Sequence, residues 1–127
     1  MRTDHEIADG YVAWRRAKDT PDEESLFWAF EEMCTVVAVE PERALRVIAQ
    51  VLERDDTARV VEILAAGPLE DLLSGHGPQM IDAIESEARR NPKFAFLLGG
   101  VWQSDIDAGV WRRVELVRVR SGWDGNP

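Results

Sequence analysis

Apolar residues recur at intervals of three and four in nearly every stretch of this chain, and proline or glycine breaks the pattern repeatedly; strand-like alternation is confined to Val117, Arg118, Val119 and Arg120. A stripe at that spacing lines one side of a helix and cannot fill one face of a pleated strand. The pattern predicts an all-α fold. Because the breaks are short, it predicts a single domain over residues 1–120, built of about seven to eight helices in antiparallel hairpins. Residues 121–127, rich in turn formers, read as a flexible tail. A bundle and a short HEAT-like stack both fit.

The first stripe, Ile7, Tyr11 and Trp14, marks a helix over about His5 to Lys18. Thr20-Pro21-Asp22 ends it, since proline fits the first turn of a helix and not its interior. Glu23 to Val39 carries Leu26, Phe27, Phe30, Met33, Cys34 and Val37, and Trp28, Val36 and Val39 extend the apolar surface almost around the circumference. That breadth predicts a central helix covered on several sides, with Cys34 a buried, inert thiol. Glu40-Pro41-Glu42 opens a third helix, its carboxylates where the helix dipole favours them. Asp55 and Asp56 are candidates to cap a fourth, which Gly67-Pro68 is expected to stop. A short fifth helix with Leu69, Leu72 and Leu73 is expected to break over Gly75 to Pro78. A sixth follows with Met80, Ile81 and Ile84, where Glu85 and Arg89 would pair on the exposed side. Asn91-Pro92 starts another, Gly99-Gly100 is expected to close it with a left-handed terminus and a close backbone approach, and the last runs from about Asp107 to Val119.

Charge is unevenly spread. Asp19, Asp22, Glu23, Glu24, Glu31, Glu32, Glu40 and Glu42 occupy a stretch without lysine or arginine and nearly account for the formal net charge of -9. Such a block repels nucleic acid and steers a basic partner. Arg89, Arg90, Lys93, Arg112, Arg113, Arg118 and Arg120 make the C-terminal third locally basic. That cluster reads as a solvated face offsetting the acidic block, and a chain with two poles can also pair with itself head to tail, as a homo-oligomer. No apolar run approaches the roughly eighteen residues that cross a bilayer, so no membrane span is expected. The polar N-terminus lacks the basic start and apolar stretch of a secretory signal, and the single cysteine makes no internal disulfide. A cytoplasmic location is expected.

Few residues carry recognisable chemistry. His76 continues the spacing of Leu69, Leu72 and Leu73 between two glycines, with Glu70, Asp71 and Asp82 near enough in sequence to orient an imidazole. It reads either as a weak catalytic candidate, with Asp71 or Glu70, or as a helix-end histidine bonded to backbone carbonyls. His5, Cys34 and His76 are the nitrogen and sulfur candidates for a metal, and no two have ligand spacing, so neither metal nor cofactor is expected. Gly99-Gly100-Val101-Trp102 lacks the lysine and hydroxyl of a phosphate loop. Trp14, Trp28 and Trp111 fall on apolar stripes and read as core, whereas Trp102 fits either core or an exposed anchor.

One further set of residues carries a resemblance. Gly67-Pro68-Leu69-Glu70-Asp71-Leu72-Leu73, His76-Gly77, Glu87-Ala88-Arg89 and Leu98-Gly99-Gly100-Val101-Trp102, with Phe27-Trp28-Ala29-Phe30-Glu31 and Pro41-Glu42-Arg43-Ala44 upstream, resemble a family of small bacterial all-helical proteins of unknown function. The resemblance spans roughly residues 11 to 115 and implies a bacterial, cytoplasmic helical protein. It implies no activity.

Composition and charge thus favour a non-enzymatic interaction module. Glu23, Glu24, Glu31 and Glu32, with Trp102, would bind a basic protein partner, an immunity-type inhibitor of a bacterial toxin being one form. The rivals are a small enzyme or ligand-binding domain centred on His76 and a structural subunit of a homo-oligomer.

Overall fold

The computed structural model describes residues 2–123. In order, the chain forms α1 (Asp4–Arg16), α2 (Glu23–Val39), α3 (Pro41–Arg54), α4 (Ala58–Leu64), a π-helical segment (Ala65–Leu69), α5 (Glu70–Arg90), α6 (Pro92–Leu98) and α7 (Ala108–Val117). There is no strand among the described residues, and the fold is all-α as the periodicity predicts. One apolar cluster runs from Ile7 and Tyr11 in α1, through Val47, Ile48 and Val51 in α3, to Val110 and Val114 in α7. Helices α1, α2 and α3 pack on one another, α5 packs on α2, α3, α6 and α7, and α1 also reaches α4. In a stack each hairpin touches only its neighbours. Contact of α2 with α5 makes this a bundle.

Local chemistry sets most helix ends. Thr3 and Glu6 close α1 with a reciprocal capping box, Glu6 N donating to Thr3 Oγ1 at 3.1 Å and Thr3 N to Glu6 Oε1 at 2.9 Å. Pro41 and Pro92 occupy first turns, and Gly99 closes α6 in a right-handed conformation (φ -63°), not the expected left-handed one. Asn91 accepts from the Lys93 and Phe94 amides, and Asp107 from Gly109 and Val110. At α4 the expected caps act differently. Thr57 holds the cap position, Asp55 Oδ1 instead accepts from the Thr57 amide and hydroxyl, and Asp56 pairs with Lys93 at 3.1 Å.

Of two expected breaks, the first is carried through and the second holds. Gly67-Pro68 does not stop the chain: the missing proline N–H is absorbed by a wider π turn, in which the Glu70 amide bonds back to the Ala65 carbonyl. Pro68 and Leu69 are buried there, so packing holds the bulge in place. At Gly75 to Pro78 the expected break is met: His76 leaves the helical region (φ -136°, ψ 24°), and α5 is two helical segments joined at that kink. Glu85, expected on the exposed side opposite Arg89, is buried and receives Arg113 of α7 on both carboxylate oxygens. After α7 the chain turns back over α6. Val119 N donates to the Ala95 carbonyl at 2.9 Å, and Trp123 stacks on Phe96 at 5.0 Å with its Nε1 donating to the Phe96 carbonyl. The folded unit therefore extends through Trp123, beyond the expected boundary at residue 120. Residues 124–127 of the expected tail lie outside the described residues.

Candidate functional site

Helix α2 is peripheral, not central. Its buried line is Ala29, Met33, Val36 and Val37, where α1, α3 and α5 cover it from one side. Glu24, Phe27, Glu31, Cys34 and Ala38, each three or four residues from the last, are all exposed. Cys34 is thus exposed, correcting the expected buried thiol, and Phe27 and Val39 are 43% and 70% exposed. The expectation of a central helix took every apolar residue as covered. Here several of them face outward among carboxylates.

Near its N-terminal end, α2 meets α1 through aromatic rings. Trp14 lies 5.1 Å from Phe30 and 6.4 Å from Phe27, Phe27 stacks on Phe30 at 5.2 Å, and Tyr11 extends the chain of rings behind Trp14 at 5.4 Å. A cleft of about 630 Å³ opens there, lined by Trp14 and Phe27 with Glu23, Glu24, Arg15 and Lys18 on its rim. Arg15 is held away from the carboxylates, its Nε donating to the Arg59 carbonyl at 2.9 Å. Among the described residues, Asp22, Glu23, Glu24, Glu31 and Glu32 form no ion pair. Glu31 is exposed and Glu32 half-buried on the same helix. Trp14, Trp28 and Trp111, expected in the core, are half-buried at its edge. Trp28 seats on Gly10 of α1 with the Arg2 guanidinium 3.8 Å over its ring, and Arg118 lies 5.1 Å over Trp111.

A second cleft, of about 400 Å³, opens between the C-terminal end of α2 and the start of α5. Cys34, Val37, Ala38, Asp71, Gly75 and His76 line it. The kink at His76 turns the ring toward α2, where Nε2 lies 3.1 Å from the Ala38 carbonyl. A carbonyl only accepts, so Nε2 is the donor in this contact. His76 thus bonds to backbone, as a helix-end histidine does, and it also lines an open cleft. The sequence did not show that Cys34 joins it; the thiol comes from a helix 42 positions earlier, and only the fold brings the two together.

The electrostatics of this cleft do not favour a catalytic thiol. Burial pushes the Cys34 thiol up, and the negative charges of Asp71 and Glu31 push it further. A nucleophilic cysteine needs the opposite environment. No hydrogen bond joins Cys34 to His76 among the described residues. Burial, then Glu70, raises the Asp71 carboxyl. Glu70, the other acidic candidate, is diverted: it accepts from the Trp102 amide at 3.1 Å and the Ser104 hydroxyl at 3.4 Å, tying the loop after α6 to α5. Trp102 itself is 65% exposed and lines neither cleft. Among the described residues there is no grouping of histidine, cysteine and carboxylates able to hold a metal ion.

Four cations of the basic C-terminal third have ion-pair partners of their own. Arg113 bonds Glu85 and Asp82, Arg90 pairs with Glu87, Lys93 with Asp56 and Arg118 with Glu115. No helix among the described residues is long and apolar enough to cross a membrane. No curated protein and no solved structure matches the chain. A family model does match, over residues 16–122, close to the span carrying the sequence resemblance. The chain belongs to that family, DUF6869, a family of unknown function.

Proposed function

We propose that this protein is a non-enzymatic interaction module that binds a basic protein partner through the exposed face of α2. One observation carries it. Glu23 and Glu24, without ion-pair partners, line a cleft of about 630 Å³ together with the rings of Trp14 and Phe27, and Glu31 is exposed further along the same helix. Carboxylates steer and select, while Trp14 and Phe27 offer the desolvated contact area from which binding energy comes. An immunity-type inhibitor, seated over the cationic active site of a toxin in the bacterial cytoplasm, is the concrete form this takes; what supports that form is charge alone. Self-association by opposite poles is weakened by the local pairing of the basic residues, and an enzyme centred on His76 by the acidic setting of Cys34 and the diversion of Glu70.

The test is affinity capture from the host at low salt with the native chain and with the Glu23→Lys, Glu24→Lys, Glu31→Lys, Glu32→Lys variant, followed by binding measurements on the purified captured protein. A basic protein that binds the native chain in a salt-dependent manner and is lost by the variant is the expected result. Equal binding by both chains removes the acidic face from consideration.

A further inference from the structure

We propose that the partner meets this face as a basic amphipathic α-helix laid along α2, with its apolar side on Phe27 and one lysine or arginine seated against Asp71 in the cleft between α2 and α5. This rests on the interaction function above and specifies its partner. Glu24, Phe27, Glu31, Cys34 and Ala38 form one exposed line. At about 1.5 Å per residue it is roughly 21 Å long, or four turns of a partner helix. The aromatic cleft opens at one end of the line and the histidine cleft at the other.

A helix fits this line better than an extended segment. An added strand needs a row of unpaired backbone groups, and the backbone of α2 is bonded within its own helix. A helical partner satisfies its own backbone and presents side chains every three or four residues, the spacing of the line itself. Asp71 identifies the anchor. It makes no hydrogen bond and no ion pair among the described residues, and Glu31 adds a second negative charge near the same thiol. The C-terminal end of α2 adds the negative pole of its dipole. Val37, Ala38 and Cys34 supply apolar wall for the stem of a long cation. Pairing would also relieve Asp71, whose carboxyl is raised by burial and by Glu70. At the other end Arg15 and Lys18 stand beside Glu23 and Glu24 on the cleft rim, so that end is of mixed charge and the single anchoring cation is assigned to Asp71.

The probe is a fluorescent synthetic peptide of about 14 residues with leucine and lysine at helical spacing, beside a scrambled peptide of equal composition. Anisotropy reads affinity, and alkylation of Cys34 by uncharged N-ethylmaleimide reads where the peptide sits. We expect the helical peptide to slow alkylation about tenfold at saturation, and the scrambled peptide to bind about tenfold more weakly. Asp71→Asn, whose fold is checked by circular dichroism, should weaken the helical peptide roughly three- to tenfold. Equal binding of both peptides, an unprotected Cys34 and an indifferent Asp71→Asn overturn the helical track. If Glu23→Lys with Glu24→Lys still abolishes binding in that case, the acidic face survives without it. If neither peptide binds and host capture also yields no salt-dependent basic partner, the interaction function itself falls.

Discussion

Tyr11 is a ring with nothing to hold its hydroxyl. It is fully buried, and the hydroxyl has no hydrogen-bond partner among the described residues. Burial first, and then Cys34, drives the phenol well above its ordinary range. A buried donor without a partner costs the loss of its hydration and returns nothing. Tyr11→Phe keeps the ring contact with Trp14 and discards the hydroxyl, so it should stabilise the fold by about 1 kcal/mol in urea unfolding; a loss of similar size would mean that the hydroxyl is bonded. Gly99 presents the reverse case. A Cβ there would lie 1.9 Å from the Val119 carbonyl oxygen, in the segment whose Val119 amide bonds Ala95. Backbone cannot step aside as a side-chain tip can. Gly99→Ala should cost about 2 kcal/mol and release the stacking of Trp123 on Phe96, seen as a lowered urea midpoint together with altered tryptophan emission.

The kink in α5 shows how two neighbouring glycines serve different ends. A Cβ on Gly75 would meet nothing within 4 Å, whereas one on Gly77 would come within 3.2 Å and 3.3 Å of the two Val110 methyls on α7. Neither glycine has a positive φ. Gly75→Ala should therefore gain roughly 0.5 to 1 kcal/mol by restricting the unfolded chain. Gly77→Ala crowds the Val110 methyls at the α5–α7 contact and should lose about 1 kcal/mol. Thermal melts of the two single variants check both, and equal effects would show that the spacing of α5 and α7 is not set at this glycine. The helices themselves were largely legible: α2 begins at Glu23 and ends at Val39 as read, because Pro21 and Pro41 bracket it. What failed was the reading of Gly67-Pro68 as a helix end, whereas the break at Gly75 to Pro78 holds at His76. Gly67-Pro68 weakens hydrogen bonding locally, but Leu64 and Leu69 are buried on either side and carry the chain through. The site was legible only as separate parts. Glu23 and Glu24 were visible as charge, whereas periodicity cannot tell which side of an apolar helix is covered, nor that Cys34, Asp71 and His76 meet from different helices.

Across the whole molecule, carboxylates divide into those that hold the fold and those left to solvent. The Arg43 hydrogen bond leads in lowering Asp4, and the Arg113 hydrogen bond leads in lowering Glu85. Burial acts to raise Asp55 and Glu87, yet the Thr57 and Arg16 bonds of the first and the Asn91 and Arg90 bonds of the second outweigh it, and both are lowered. A carboxyl with a folded pKa below its unfolded value adds stability that is complete above the unfolded value and lost as pH falls through the folded one. Asp71 is raised and runs the other way, gaining stability on acidification, but it stands alone against these four. The exposed block on α2 opposes acid loss as well, since neutralising it relieves repulsion. That effect acts through solvent and is screened at a Debye length of about 8 Å in 0.15 M salt. At that salt the urea midpoint should hold level from about pH 7 to pH 5 and fall steadily below about pH 4.5, where carboxylates of ordinary pKa begin to take up protons. Asp55→Asn should flatten part of the fall while lowering the midpoint at neutral pH, because the Arg16 pair is then absent at every pH. A native midpoint unchanged down to about pH 3 would mean that these pairs form equally in the unfolded chain and contribute nothing to the fold.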